Sequence, residues 1–434
     1  MVAAAAINRY PEGNPQPPEN MGKTAALAIW ACLLLAAGGC TTTPRVGLEI
    51  APAPAPLIRP FSGFWEAVLA LDFDQAEALV ASGPERDYLV AVRMVADGRV
   101  DAAQDALSRL IARHDREASP RARALLQSVV KETTSIPDNA FASRVDRSFA
   151  EALHEAKARE QRHYPEAPVS LPFERNASTT PMVAASVNGV PTMMGIDTGA
   201  GLTVIGSELA NAVGAWRLGA RIGARDAHGE GVHVELAVVD LQIGGIRLVR
   251  HPVMVIDSAR LRFRVTGLDV AKFDGVLGWN ALSSLRVVID NASQTVQFGP
   301  SSAAAGRGNL FWVGEPYVRA QASNGFPLTL FLDTGASRSA IATPLAAGAG
   351  LRDGVTREAM VMAAGSSRKM AITVHRDGAL HVGGARIKFD ELQTIAPREL
   401  GYAVRDGILG ADALLAGRVT IDFGAREFSV VTAR

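Results

Sequence analysis

Two short motifs carry most of the chemistry open to this chain of 434 residues. Asp197-Thr198-Gly199-Ala200 and Asp333-Thr334-Gly335-Ala336 repeat the same four residues in its second half. In each, an apolar run ends in a carboxylate, the glycine lets the backbone bend tightly beside it, and the threonine hydroxyl can both donate and accept. A single copy reads as an ordinary turn. Two copies matter if they meet, because carboxylates held about 3 Å apart cannot both ionise and must share one proton across the neutral range. One member is then a base and the other an acid, and the apparent pKa values belong to the pair. Such a pair can take a proton from water and give one to a developing oxyanion with no metal, cofactor or covalent intermediate.

The elements that must position the two acids are also duplicated. Asn188-Gly189 and Asn324-Gly325 precede the two motifs, with Pro191 and Pro327 just beyond. Each Asn-Gly lies between alternating apolar runs, which predicts a tight hairpin with positive φ at both central residues. Gly244-Gly245 matches Gly383-Gly384, Asp274-Gly275-Val276-Leu277-Gly278 matches Asp406-Gly407-Ile408-Leu409-Gly410, and Val287-Val288-Ile289-Asp290 matches Val419-Thr420-Ile421-Asp422. Five landmarks in one order make an internal repeat. From Val169 onward the short Val/Ile/Leu/Thr/Phe runs broken by Gly and Asn predict an all-β region. Asp274, Asp406, Asp290 and Asp422 are expected to form turns.

Taken together, these landmarks resemble the retropepsin-like aspartic proteases over about residues 175 to 434. The resemblance implies a mainly β architecture. Two tandem retropepsin-like β-barrel lobes, residues 169–305 and 306–434, would form a pepsin-like bilobal unit whose Asp-Thr-Gly loops meet at a pseudo-twofold axis, with the apolar-apolar-Gly strand crossing behind each loop. It makes Asp197 and Asp333 the catalytic pair, Thr198 and Thr334 the cross-bonding hydroxyls, and Gly199 and Gly335 the turn residues, with Ala200 and Ala336 completing the loops. The implied activity is endopeptidase cleavage of a peptide or protein substrate. The loops differ at the next position, Gly201 against Ser337. Candidate flap tips are His228-Gly229-Glu230-Gly231 and Ala364-Gly365-Ser366-Ser367. The short joint from Phe298 to Gly314 favours pairing of the lobes within one chain, as a monomer, over pairing between chains. The rival reading is a non-catalytic peptide-binding lipoprotein on the same scaffold. Retention of both motifs argues against it.

The rest of the chain narrows the setting. With 44 basic and 44 acidic residues and no basic block, nothing suits a nucleic-acid backbone. Both cysteines, Cys32 and Cys40, lie near the N-terminus, so thiolate metal sites and cysteine nucleophiles are excluded from the body. His228, Glu230 and His233 fit no metal-ligand spacing, and neither a serine-hydrolase elbow nor a phosphate loop occurs. Ala25 to Gly39 is too short to span a bilayer and reads as the core of a signal peptide, residues 1–40. Met21-Gly22-Lys23 fits its start better than Met1. Leu35-Ala36-Ala37-Gly38-Gly39-Cys40 resembles a bacterial lipobox, which implies a lipid anchor on Cys40 and a periplasm-facing place in the cell envelope, with Thr41 favouring the outer membrane. Residues 41–60, with Ala51-Pro52-Ala53-Pro54-Ala55-Pro56, are expected to be an extended linker. Residues 61–168 carry apolar residues at helical spacing and predict an α-helical domain. Its two similar segments, about 27 residues apart, weakly resemble tetratricopeptide-like hairpins, and the domain is read as a packing unit or a partner-binding groove.

Overall fold

The computed structural model describes residues 32–34, 44–141, 143–176, 178–225, 231–265, 268–302, 308–363 and 366–432. Helices Phe64–Leu69, Phe73–Leu79, Pro84–Ala96, Val100–Ala112, Ala118–Val129 and Arg144–Ala158 precede the main run of strands. Asp72 caps the second of these by accepting from the Gln75 amide, and Pro84 supplies the preset φ that starts the third. Each long helix buries one apolar stripe, such as Tyr88, Leu89, Val92 and Val95 on Pro84–Ala96. That shared core includes Phe311, Tyr317, Phe331 and Ala403 of the second β lobe, so the apolar side of the helices is occupied by the lobe. The last helix, capped by Ser143, buries Phe149 and Leu153 against the first lobe instead. Among the described residues, no helix is long and apolar enough to cross a membrane.

The two lobes repeat one strand plan, and the protein is mainly β. In the first, Gly275–Leu277 lies parallel to Val190–Ile196 and antiparallel to Thr203–Gly206. In the second, Gly407–Leu409 lies parallel to Pro327–Leu332 and antiparallel to Ala340–Ala342. Between the lobes, Leu285–Asp290 pairs antiparallel with Arg418–Asp422, with Val288 opposite Thr420, so one sheet runs through both. The lobes therefore join within a single chain.

Four expectations change. Asn188 and Gly189 both take positive φ, 48° and 81°, as the tight turn demands, but in the second copy only Gly325 does, at 90°. There the loop is one residue longer: Ala322 bonds Phe326 at 2.9 Å, and Asn324 braces it from outside by donating to the Gly348 carbonyl at 2.8 Å. The linker is not free. Val46–Glu49 pairs with Ala385–Phe389, Leu57 bonds the Gly325 carbonyl at 2.9 Å, and Arg59 meets Asp406 at 2.7 Å. Val46 and Leu48 alternate with Gly47 and Glu49, a period-two strand signal that the neighbouring proline run overshadows. Asp406 is therefore a buried ion-pair partner, not a plain turn former like the exposed Asp274. Asp422 is likewise buried, accepting from Ser301, Ser302 and the Ala425 amide, whereas Asp290 turns the chain through the Ala292 and Ser293 amides.

The arms of both candidate flaps are hairpins, Trp216–Arg225 with Gly231–Ile243 and Val355–Ala363 with Ser366–His375. His228, Gly229, Glu230, Ala364, Gly365 and Cys40 lie outside the described residues.

Candidate active site

Each acid sits at the end of a buried strand because the strand behind it fixes where that strand stops. The Asp197 amide donates to the Leu277 carbonyl at 3.0 Å, and the Asp333 amide to the Leu409 carbonyl at 3.1 Å. After the acid the loop turns back on its own side chain: Oδ1 of Asp197 accepts from the Gly199 and Ala200 amides, and Oδ1 of Asp333 from the Gly335 and Ala336 amides. Each Oδ2 is buried with no partner beyond the opposite carboxyl.

The glycines show how closely the loops approach. A Cβ on Gly199 would lie 2.5 Å from Asp333 Oδ1, and one on Gly335 would lie 2.6 Å from Asp197 Cγ. Neither glycine has positive φ, so it is the facing carboxyl, not backbone conformation, that demands a residue without a side chain.

The threonines lock the two loops together. Thr198 Oγ1 donates to the Leu332 carbonyl at 2.7 Å and accepts from the Thr334 amide at 3.1 Å. Thr334 Oγ1 donates to the Ile196 carbonyl at 2.7 Å and accepts from the Thr198 amide at 3.0 Å.

Burial sets the electrostatics. Asp197 is 1% exposed and Asp333 0%. Desolvation, reinforced by the charge of Asp333, holds Asp197 well above the usual carboxylate range. Asp333 is also raised by burial, but to about 7, because the Arg405 charge and two loop amides oppose the rise. The pair is asymmetric: one proton stays on the Asp197 side while Asp333 is the first to ionise.

The asymmetry has a structural source that pattern reading missed. Arg405 occupies the position matching Phe273, each one residue before an Asp-Gly. Its guanidinium lies 3.8 Å from the centroid of Phe331, two residues before Asp333. Arg405 Nε donates to Glu315 Oε2 at 2.9 Å, Nη2 binds Glu315 Oε1, and the Tyr317 hydroxyl donates to the same carboxylate at 3.2 Å. The one sequence signal was that Phe-to-Arg difference between otherwise matching landmarks.

Behind each loop a hydroxyl six residues past the acid ties it to the strand that follows. Thr203 Oγ1 donates to Asn280 Oδ1 at 3.0 Å and contacts His251 Nε2 at 3.0 Å, while His251 Nδ1 meets Glu160 at 2.6 Å. In the second lobe Ser339 Oγ donates to Asp412 Oδ1 at 2.6 Å and accepts from the Gly410 amide at 3.0 Å. Burial pushes Asp412 up to about 6.

The landmarks singled out by the repeat thus lie at one centre: two acids, two threonines, two glycines and the two crossing strands. Comparison with known families agrees. Residues 183–281 match the family described as aspartyl protease, and residues 321–415 match the one described as "gag-polyprotein putative aspartyl protease". Each matched stretch holds one Asp-Thr-Gly loop and one crossing strand. A comparison with curated proteins finds no match. The two matches support an aspartic-protease-like enzyme. Behind its helical region, this chain carries a tandem pair of retropepsin-like aspartic-protease domains.

Proposed function

We propose that the protein is an aspartic endopeptidase, with Asp197 and Asp333 as its catalytic dyad. The observation that carries this reading is the pair of buried carboxyls, each with Oδ1 fixed by two amides and Oδ2 left for the other carboxyl and a reacting group. Asp333, the more acidic member, takes a proton from water as the water oxygen bonds to the peptide carbonyl carbon. Protonated Asp197 gives its proton to the carbonyl oxygen, and a neutral gem-diol forms. Asp333 then protonates the departing nitrogen while the gem-diol returns a proton to Asp197, so the C–N bond breaks and the dyad regains its single proton. A binding scaffold gains nothing from two facing buried carboxyls, whose desolvation costs stability.

We also propose that Cys40 bears a lipid anchor and that the substrates are envelope proteins. Supporting this are the short apolar stretch, the small residues before Cys40, and the absence of thiols downstream. Fatty-acid labelling that survives in Cys40→Ala would overturn it. For the peptidase itself, Asp197→Asn and Asp333→Asn should each lower cleavage of a peptide library by about 10²- to 10⁴-fold, the usual contribution of a positioned acid or base. Cleavage that persists in either variant removes the shared-dyad mechanism.

A further inference from the structure

The first lobe offers a pocket beside the dyad, and the chain itself fills it. Along Thr203–Gly206 and the residue before it, side chains alternate between two environments: Thr203 and Ile205 point to the barrel interior, Leu202 and Val204 to the other face. That second face continues into Ala200, three residues from Asp197, into Val276 of the crossing strand, and into Ile222, Val232 and Val234 of the hairpin. Loop, crossing strand and hairpin together make the apolar wall that a side chain flanking a scissile bond would meet. Phe149 and Leu153 of helix Arg144–Ala158 occupy it, 0% and 1% exposed.

The pseudo-symmetric positions of the second lobe are covered in the same way. Ala336 matches Ala200 and Ile408 matches Val276, and both are packed into the core of the preceding helices with Leu125, Leu126 and Val129. Between helices and loops a void of about 40 Å³ remains, lined by Ser128, Lys131 and Leu153 on one side and Thr198, Gly199 and Gly201 on the other. Sites that hold even a small organic ligand are usually several hundred Å³.

The helix is anchored mainly through its ends. Ser143 caps it at 3.4 Å, Arg147 donates to the Asp138 carbonyl at 2.6 Å, and Lys157 meets Glu132 at 2.8 Å. Between these anchors, Phe149 and Leu153 hold by apolar packing, which is short-ranged and non-directional and so can be released and remade.

We propose that helix Arg144–Ala158 is a built-in plug: Phe149 and Leu153 occupy the first lobe's substrate pocket, and the enzyme acts only when this helix withdraws. The proposal rests on the peptidase reading for what the pocket accepts, but not for the occlusion. It implies that the vacated pocket takes a bulky apolar side chain, the kind it now holds.

The test uses the full chain as parent, Phe149→Ala/Leu153→Ala, and Ser143→Ala, which weakens the helix from its cap without touching the pocket. Two readouts are followed: amide hydrogen exchange of residues 197–200 and 231–243, with 285–290 as internal reference, and turnover of a fluorogenic peptide with Phe or Leu flanking the cleavable bond. In the double variant, exchange at the dyad loop and hairpin should rise at least tenfold with the reference unchanged, and turnover should rise by a similar factor. Ser143→Ala should move both the same way by about fivefold, the scale of a lost cap. Should the double variant fail to fold by circular dichroism, Ser143→Ala carries the test. Faster exchange with no turnover upholds the plug and sinks the peptidase reading. Parent turnover equal to that of the variants, with unchanged exchange, overturns the plug and leaves the peptidase reading standing. No change in exchange or turnover in any folded variant also overturns it.

Discussion

Thr198 and Thr334 satisfy each other's backbone: each hydroxyl accepts from the other's amide and donates to a carbonyl on the other's strand. All four bonds cross between lobes, so they hold the dyad loops in register without using either carboxyl. Replacing Thr334 by Val removes a hydroxyl of nearly equal volume and strips the Thr198 amide and the Ile196 carbonyl of these bonds in a site closed to water. Buried unpaired groups cost about 1–3 kcal/mol each, so Thr334→Val should lose roughly 2–4 kcal/mol in urea unfolding. Thr334→Ser keeps the hydroxyl and should lose about 1 kcal/mol or less. Equal losses in the two variants would mean that the methyl group, and not the bonds, holds the loops.

The dyad should make stability depend on pH in a direction opposite to that of an ordinary salt-bridged carboxylate. Burial raises Asp333 to about 7 in the folded protein, while an unfolded Asp titrates near 4. A raised acid favours its neutral form in the fold. Its contribution is therefore complete below about pH 4 and is lost as pH rises through about 7. Asp333→Asn keeps an acceptor for the Gly335 and Ala336 amides and never ionises. In urea unfolding the variant should match the parent near pH 4 and exceed it in stability by pH 8. The gain is at most ~4 kcal/mol, since a titration displaced by one pH unit is worth about 1.4 kcal/mol. Other titrating groups, Asp412 among them, are common to both proteins and cancel. A constant difference from pH 4 to pH 8 would show that Asp333 titrates normally.

Much of this centre was legible because the chain states it twice. The same letters at matching positions mark the acid, the threonine, the glycine and the crossing strand, and a duplicated strand plan leaves few ways to arrange them. What was not legible joins residues that no local pattern connects. Arg405 and Glu315 are 90 positions apart and His251 and Glu160 are 91 apart. The amphipathic stripe of Arg144–Ala158 showed that Phe149 and Leu153 would be buried, but periodicity does not say against what. Asn324-Gly325 shows the opposite failure: the dipeptide matched its twin, and tertiary contacts from Asn324 to Gly348 selected a different turn.

Gly199 and Gly335 make a steric prediction. A methyl group at Gly199 would overlap Asp333 Oδ1 at 2.5 Å, an approach that real Cβ atoms do not make. Gly199→Ala must push the carboxyls apart, so it should abolish cleavage while lowering stability by about 1–3 kcal/mol, the range for overpacking. Gly214→Ala provides the comparison, since a Cβ there meets nothing within 4 Å and only its positive φ of 61° is strained. It should cost some stability but no activity per folded molecule. Comparable activity loss in both would place the effect in folding and not in the dyad.

The difference between Arg405 and Phe273 predicts which acid loses its proton. Arg405 is fully buried beside the second-lobe strand, and its positive charge holds Asp333 below where desolvation alone would put it. Removing Arg405 alone would strand Glu315, so the informative variant is Arg405→Met with Glu315→Gln, which deletes the pair together. In that protein the carboxylate of Asp333 forms only at higher pH. The acid limb of kcat against pH should therefore move upward by about one unit, within the usual range for an opposite charge near an acid. The basic limb, governed by Asp197, should move less, because the Arg405 charge is not among the leading influences on that carboxyl. A profile that shifts equally on both limbs would mean the two acids feel Arg405 alike, and the assignment of Asp333 as base and Asp197 as acid would have to be abandoned.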